Sequence, residues 1–400
     1  MAPAKPAGHR TMLIKATSMT ASNNATLPEE QARLERLQDY LQGDPNNLNL
    51  LGDTALAAFE AGQAALAKEL FRRYKTLTEP SDSLLNMVGL LALRENDATG
   101  AIGYFTKLAS DHPESAEIAY NLAYAEWLAG EFDRALERLS EDVAIAYQPV
   151  MALKMRLLHH AGRIDEAILE GESALNRGPS ASDVEGLLAV LYLDKGDFKA
   201  AAVHARAAGD EPDALTTLGM LELESGSTET AHARFANLVD LQPQSGRAWL
   251  GLGLASLANN SMDDACVSLD RAARLLERHP GSWLASGWAH LLGGSIDEAR
   301  IAFEEAVRID RNFAEAHGSL AVVAVRRGDR DAANRIIAVA MRLDPKCLSA
   351  ALAQSELLRA EGNTAAADRI RAAAVHAPGQ ADGVSIYELL LRRGIVLSDV

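Results

Sequence analysis

A spacing of 34 residues between like residues is the feature that most constrains this chain. The pairs lying 34 residues apart are Trp249 and Trp283, Gly253 and Gly287, Ala265 and Ala299, and Ala272 and Ala306. With small slips, the register gives about ten units, beginning near residues 48, 82, 116, 148, 182, 212, 246, 280, 314 and 348. A fixed period of this length indicates tandem repeats, in which each unit buries its apolar face only by stacking on its neighbours.

Each unit has the pattern of a helical hairpin. Two stretches with apolar residues at i, i+3 and i+4 are separated by a glycine, and a proline often follows the second stretch. Aromatic residues make up only 5% of the chain, and alanine and leucine supply much of its apolar content. Both residues favour helices over strands. Small residues such as Gly253, Ala265 and Ala272 would let paired helices approach closely. The sequence therefore predicts an all-α protein.

The repeated positions resemble those of the tetratricopeptide repeat. They are a small residue at position 8, glycine near 15, alanine at 20 and 27, a bulky apolar residue at 24 and proline at 32. The resemblance covers residues 48–379 and implies a right-handed α-solenoid superhelix of about ten helix-turn-helix repeats. Gly251 and Gly253 could instead suggest a dinucleotide-binding loop, but that motif needs a preceding strand and a third glycine where Ser256 stands. We therefore assign these glycines to helix packing.

The segments outside the array have different compositions. Residues 1–27 are predicted to be disordered, and residues 28–47 to form an N-terminal capping helix. Residues 380–400 are predicted to form a closing helix followed by an apolar tail, Ile395, Val396 and Leu397. This tail is expected either to fold back onto the last repeat or to contact a partner, which includes a homodimer. The irregular stretch 206–215 predicts a change of pitch within the array.

Composition and motifs narrow the possible function. The chain carries 39 basic and 55 acidic residues, a formal net charge of −16, which disfavours binding to nucleic acid or to a membrane surface. Its two cysteines form no disulfide or zinc pattern, and no apolar window approaches the length of a membrane span. No catalytic motif is recognisable. We therefore expect a cytoplasmic protein that is not an enzyme and uses no cofactor or metal.

The resemblance implies a concave groove lined by the first helix of each repeat. The densest group of aromatic and basic residues at groove positions lies in the third and fourth units, and Trp288 occupies such a position later in the chain. The predicted partner-binding residues are Tyr120, Asn121, Tyr124, Trp127, Arg156, His159, His160 and Trp288. Aromatic anchors beside arginine are typical of binding hot spots. In the alternative, the aromatic residues pack between helices and the basic ones neutralise Glu126, Glu131 and Asp165.

Three functions are consistent with these features. The first is a non-catalytic scaffold or adaptor whose groove binds a peptide or helical segment of a partner protein. The second is an assembly component of a bacterial secretion, pilus or envelope-polysaccharide system, which rests on analogy between folds alone. The third is a regulatory sensor that changes curvature when it binds a ligand.

Overall fold

The computed structural model describes residues 28–147, 149–178 and 181–375. Within these ranges every regular element is an α-helix, so the prediction of an all-α fold is confirmed. The chain divides into two compact units between Ala174 and Leu175. Each unit is a series of antiparallel helical hairpins with its own apolar core.

The helices of the first unit begin with α1, which packs against the first hairpin. The bounds are α1 (Pro28–Gly43), α2 (Leu48–Glu60), α3 (Ala64–Leu77), α4 (Asp82–Arg94), α5 (Ala98–Asp111), α6 (Ala116–Leu128), α7 (Phe132–Arg138), α8 (Glu141–Ala146), α9 (Pro149–His160) and α10 (Ile164–Arg177). Leu34 and Leu41 of α1 are buried in the same apolar cluster as Leu51 of α2. The boundary between the units falls within α10.

The second unit continues the alternation of first and second helices. The bounds are α11 (Ser182–Asp194), α12 (Phe198–Ala208), α13 (Pro212–Glu224), α14 (Thr228–Leu241), α15 (Gly246–Ala258), α16 (Met262–Leu275), α17 (Pro280–Leu292), α18 (Ile296–Ile309), α19 (Ala314–Arg326), α20 (Arg330–Leu343), α21 (Leu348–Ala360) and α22 (Thr364–Val375). The first helices begin within one residue of the starts that the 34-residue register gives.

A left-handed residue closes the turn of every hairpin in the described ranges. Eight of the ten turns use glycine, with φ between 72° and 82°, as at Gly62 and Gly328. Asn96 and Asn260 occupy the other two turns, with φ of 59° and 62°. Glycine and asparagine are the residues that adopt this conformation most easily. The turn therefore depends on one residue at a fixed place in each repeat.

One second helix, α14, places a bulky side chain against glycines of two first helices. Phe235 of α14 is fully buried. A Cβ added at Gly219, in the same hairpin, would lie 2.5 Å from Phe235 Cζ. A Cβ added at Gly251, in the next hairpin, would come within 2.5 Å of three atoms of the same ring. The ring thus fills space both within one repeat and between two repeats, which explains the glycines at these helical positions.

A side chain from one hairpin also caps the first helix of the next. Glu315 of α19 accepts hydrogen bonds through Oε1 from Leu348 N at 2.7 Å, and through Oε2 from Ser349 N at 3.1 Å. Ser349 Oγ donates a further hydrogen bond of 2.5 Å to Oε2. These bonds satisfy backbone donors at the start of α21 and favour a negative charge there. Neighbouring repeats are therefore joined by polar contacts as well as by apolar packing.

Two hairpins depart from the regular pattern. The second helix of the third hairpin is split into α7, of seven residues, and α8, of six. In the fifth hairpin, α12 ends at Ala208 after eleven residues, and Gly209 follows with φ of 67°. This break lies within 206–215, where the change of pitch stays a prediction. The predicted disordered segment 1–27 and the predicted closing helix and tail, 380–400, lie outside the described residues.

Candidate functional site

Three aromatic side chains lie on one face of α6. Tyr120, Tyr124 and Trp127 are spaced four and three residues apart, which brings them together along a helix. The rings of Tyr120 and Tyr124 are 6.4 Å apart and nearly parallel, and Tyr124 meets Trp127 edge to face at 5.4 Å. Asn121 lies on the same helix and is partly exposed. The first helix of the third hairpin therefore presents a row of rings.

The split second helix extends this row by one ring. Arg138, at the end of α7, donates from Nε to both carboxylate oxygens of Glu126 on α6 at 2.8 Å. The chain then turns at the buried Leu139, and Ser140 caps α8. Tyr147 follows α8 in extended backbone, and its ring meets Tyr120 edge to face at 5.5 Å. An uninterrupted second helix would carry residue 147 away from α6.

The end of α9 continues the row on its other side. His160 meets Trp127 at 5.8 Å and stacks on Phe132 at 5.8 Å, with only 17° between the planes of the latter pair. Six rings thus form a continuous series, here called the aromatic cluster. Its members are Tyr147, Tyr120, Tyr124, Trp127, His160 and Phe132.

Exposure differs along the aromatic cluster. Tyr120 is 7% exposed and belongs to the core between α6 and α9, whereas Tyr124 and Trp127 are half-buried and His160 is exposed. Burial raises the pKa of the Tyr124 hydroxyl, and the positive charge of Arg156 partly opposes that rise. Arg156 and His159, on α9, are partly exposed. Tyr120 therefore supports the fold, whereas Tyr124 keeps part of its ring exposed beside the positive charge of Arg156.

The structure separates the predicted site residues into two groups. It brings Tyr120, Tyr124, Trp127 and His160 into one series of rings, with Arg156 close to Tyr124. Trp288 lies in the second unit, where it is 2% exposed and packs edge to face on Phe303 at 5.9 Å. Its ring therefore fills the core of that unit and presents no surface to a partner.

The sequence did not point to Phe132 and Tyr147. Neither residue occupies a groove position of the repeat, so the register could not assign it to this site. The signal for Tyr147 was its neighbourhood, where Ser140 can start a short helix and Pro149 can start the next. Phe132 had no comparable signal, because its contact with His160 joins two different hairpins.

The described residues contain neither a candidate metal site nor a candidate membrane span. There, no three histidine, cysteine, aspartate or glutamate side chains are grouped so that they could hold a metal ion. None of the helices in the described part of the chain is long and apolar enough to cross a membrane.

The hairpins define an α-helical tandem-repeat protein, a class in which stacked repeats form extended binding surfaces. Family models described as tetratricopeptide repeat match residues 92–157, 216–274 and 267–313. These matches identify tetratricopeptide repeats in both units of the chain, as its spacing predicted, and support a multi-repeat protein. The comparison with curated protein sequences gave no significant match.

Several solved structures align with this chain at low sequence identity. A monomeric mutant of IFIT1, determined with Gppp-AAAA, is 12% identical and aligns over 90% of this chain and 96% of its own, with a TM-score of 0.53. Cut9, from the APC/C hetero-tetramer Cut9-Hcn1, is 15% identical over 87% of this chain and 76% of its own, with a TM-score of 0.49. PilF of Pseudomonas aeruginosa is 22% identical over 53% and 96%, with a TM-score of 0.43. The alignment with IFIT1 supports the tandem-repeat fold, and these identities carry no function to this chain.

Proposed function

We propose that the protein is a non-catalytic scaffold that binds a peptide or helical segment of a partner protein at the aromatic cluster. Tetratricopeptide-repeat proteins are in general scaffolds for protein interactions. The observation that carries the proposal is the half-buried pair Tyr124 and Trp127 beside Arg156. The roles in envelope assembly and in ligand sensing stay predictions from the sequence alone.

The arrangement suits a binding surface for physical reasons. A ring that is already held on one side loses little side-chain entropy when a partner covers its other side. Aromatic residues and arginine supply most hot spots, at ~2 kcal/mol or more each when a partner excludes water from them. Arg156 would add a charge-assisted hydrogen bond to a carboxylate of the partner. The partner segment is therefore expected to combine an apolar side chain with an acidic one.

Capture experiments with paired variants test the site. The double variant Tyr124→Ala with Arg156→Glu should lose the partner, because it removes both the half-buried ring and the cation. Met220 in α13 occupies the same repeat position as Tyr124 in α6 and is partly exposed, and Lys199 is exposed on α12. The control is therefore Met220→Ala with Lys199→Glu. Helix content measured by circular dichroism should be unchanged in both double variants.

Photocrosslinking localises the contact directly. A photoreactive phenylalanine placed at Trp127 should crosslink to the captured partner, and the same residue placed at Met220 should not. Equal capture by the two double variants, or crosslinking from the Met220 position alone, would remove the aromatic cluster as the binding site.

A further inference from the structure

A cleft lies in the first unit between α3 and α5, the second helices of two neighbouring hairpins. Its volume is about 290 Å³. The residues that define it are Phe71, Lys75, Leu85, Gly103, Tyr104 and Lys107. None of them belongs to the aromatic cluster on α6, α7 and α9. This separate surface, lined by two lysines, is here called the basic cleft.

The inner wall of the basic cleft is apolar and rigidly packed. Phe71 and Leu85 are each 4% exposed and belong to the core of the unit. Tyr104 stands edge to face on Phe71, with 6.0 Å between the ring centroids and 87° between the planes. Because Tyr104 is only half-buried, part of its ring faces the opening. The wall can therefore accept an apolar side chain without rearrangement of the core.

The helix on one side of the cleft carries a glycine that internal packing does not explain. Glycine is the least favourable residue after proline in a helix interior. At Gly100 a Cβ would collide with Asp97, whose carboxylate accepts a hydrogen bond from Gly100 N. At Gly103, which is exposed, a Cβ would meet nothing within 4 Å. The fold therefore has room for a side chain at residue 103, and glycine leaves that space unoccupied.

No other second helix in the described residues has glycine at the position of Gly103. The residues that occupy the equivalent position in the other second helices all have side chains. They are Glu69, Glu137, Leu169, Val203, Ala233, Val267, Ile301, Arg335 and Arg369. Among these second helices, only α5 has glycine at this position. A partner chain lying across α5 at this point would gain from the missing side chain, because its own atoms could approach the helix backbone.

The rim of the cleft is basic, although the chain as a whole has a net charge of −16. Helix α3 carries Lys68, Arg72, Arg73 and Lys75 against one acidic residue, Glu69. Lys68 pairs with Glu95, and Arg73 donates a hydrogen bond to Pro45 O. Arg72 and Lys75 are exposed and form no hydrogen bond or salt bridge among the described residues. Of the basic residues of α3, only Lys75 lines the cleft, and it remains available for an anionic partner.

One carboxylate of the chain itself already lies at this rim. Glu79 accepts a hydrogen bond of 2.9 Å from Lys107, and its side chain is 86% exposed. Lys75 is near enough to add to the positive potential that Glu79 experiences. An ion pair this exposed adds little to stability, so a carboxylate from a partner could take the place of Glu79 on Lys107.

We propose that the basic cleft binds an acidic peptide segment of a partner protein. An apolar side chain of that segment would insert over Gly103 against Tyr104, and flanking carboxylates would pair with Lys75 and Lys107. The spread of cations over two helices favours a chain that carries several carboxylates over a single small anion. This site acts independently of the aromatic cluster.

The test uses fluorescence polarisation with the full chain and a labelled peptide that has a central leucine flanked by glutamates. The same peptide with glutamines in place of the glutamates is the comparison, and inorganic phosphate is the competing small anion. The acidic peptide should bind about tenfold more tightly than the glutamine peptide, and its binding should weaken as salt rises. Inorganic phosphate should compete only weakly.

Variants of the cleft give results that a nonspecific attraction would not. Gly103→Leu should weaken binding of the acidic peptide about tenfold, whereas Ala233→Leu, the same change at the equivalent position of α14, should not. Lys75→Glu with Lys107→Glu should also weaken it, whereas Lys199→Glu should not. Glu79→Gln should strengthen binding, because it removes the competing carboxylate. Gly103→Ala should slow hydrogen exchange in α5, because the helix itself does not need this glycine.

Several results would overturn the proposal. They are equal affinity for the two peptides, full binding by Gly103→Leu, or displacement of the peptide by inorganic phosphate at similar concentration. The variant Tyr124→Ala with Arg156→Glu should bind the acidic peptide normally. A loss of binding in that variant would assign the peptide to the aromatic cluster instead.

Discussion

Replacing Gly251 by alanine should weaken the second unit, although alanine is the better helix former. In an unhindered helix interior the change would stabilise by about 1 kcal/mol. Here the new Cβ would lie within 2.5 Å of three atoms of the Phe235 ring. The ring has little room to move, because a Cβ at Gly219 would also lie 2.5 Å from its Cζ. Overpacking of this kind costs about 1–3 kcal/mol, so a net loss of about 1 kcal/mol is expected.

The sign of this effect should reverse when the ring is absent. Phe235→Ala removes a fully buried side chain and should cost about 3–5 kcal/mol. In that background the Cβ of Gly251→Ala meets no ring, so the substitution should now stabilise by about 1 kcal/mol. The two substitutions are therefore expected to be coupled by about 2 kcal/mol.

Hydrogen exchange measured by mass spectrometry is the suitable assay. Tandem repeats open locally, so one global unfolding transition does not report a single hairpin. Peptides from residues 212–258 give the local free energy of opening in each of the four backgrounds. Gly103→Ala, where nothing lies within 4 Å of the added Cβ, serves as the unhindered control. If Gly251→Ala stabilised these residues equally with and without Phe235, the ring would not occupy the space assigned to it.

Three further outcomes follow from the described contacts. Arg138→Ala should lower the local free energy of opening of the third hairpin by about 2–3 kcal/mol, because Glu126 is 1% exposed and would lose its guanidinium partner. Hydrogen exchange of peptides from residues 116–147 measures the loss, and Glu126→Gln should recover part of it. Arg156→Ala should raise the pKa of Tyr124 further, because a positive charge that favours the phenolate is removed. An ultraviolet difference titration against Tyr124→Phe detects the shift, and an unchanged pKa would contradict the proximity of Arg156 to Tyr124. Burial raises the pKa of the Cys347 thiol far above its ordinary value. In a variant with Cys266 replaced by serine, a thiol reagent should therefore label the native protein only as pH or local opening increases. Rapid labelling at neutral pH would count against the buried position of Cys347.

The repeat and its helix boundaries could be predicted because local signals and packing agree. A left-handed glycine or asparagine at a fixed place, a small residue facing a bulky one, and alternating apolar stretches all have the same period. The residues around Phe235 show why this works, since each contact joins positions separated by a constant interval. The family and the all-α fold are therefore readable from one sequence.

The candidate site could be predicted only in part because exposure depends on neighbours that differ between repeats. Trp288 and Tyr124 occupy the same repeat position, yet Trp288 is buried against Phe303 while Tyr124 keeps part of its ring exposed. The position of Tyr147 depends on the break between α7 and α8, which follows the Arg138–Glu126 ion pair. Helical periodicity alone does not show that break, since both short segments favour helix.

The left-handed turn residue has a consequence for how a gene of this kind can change length. Each turn is specified within its own hairpin, and each hairpin carries one half of the interface on either side, as Phe235 and Gly251 illustrate. Duplication or loss of a segment that encodes one whole period would keep the helices and turns of the remaining hairpins in register. An insertion of any other length within a helix would shift the glycines out of line with the rings that they accommodate. Unequal recombination in steps of a single hairpin is thus the route that this architecture tolerates best.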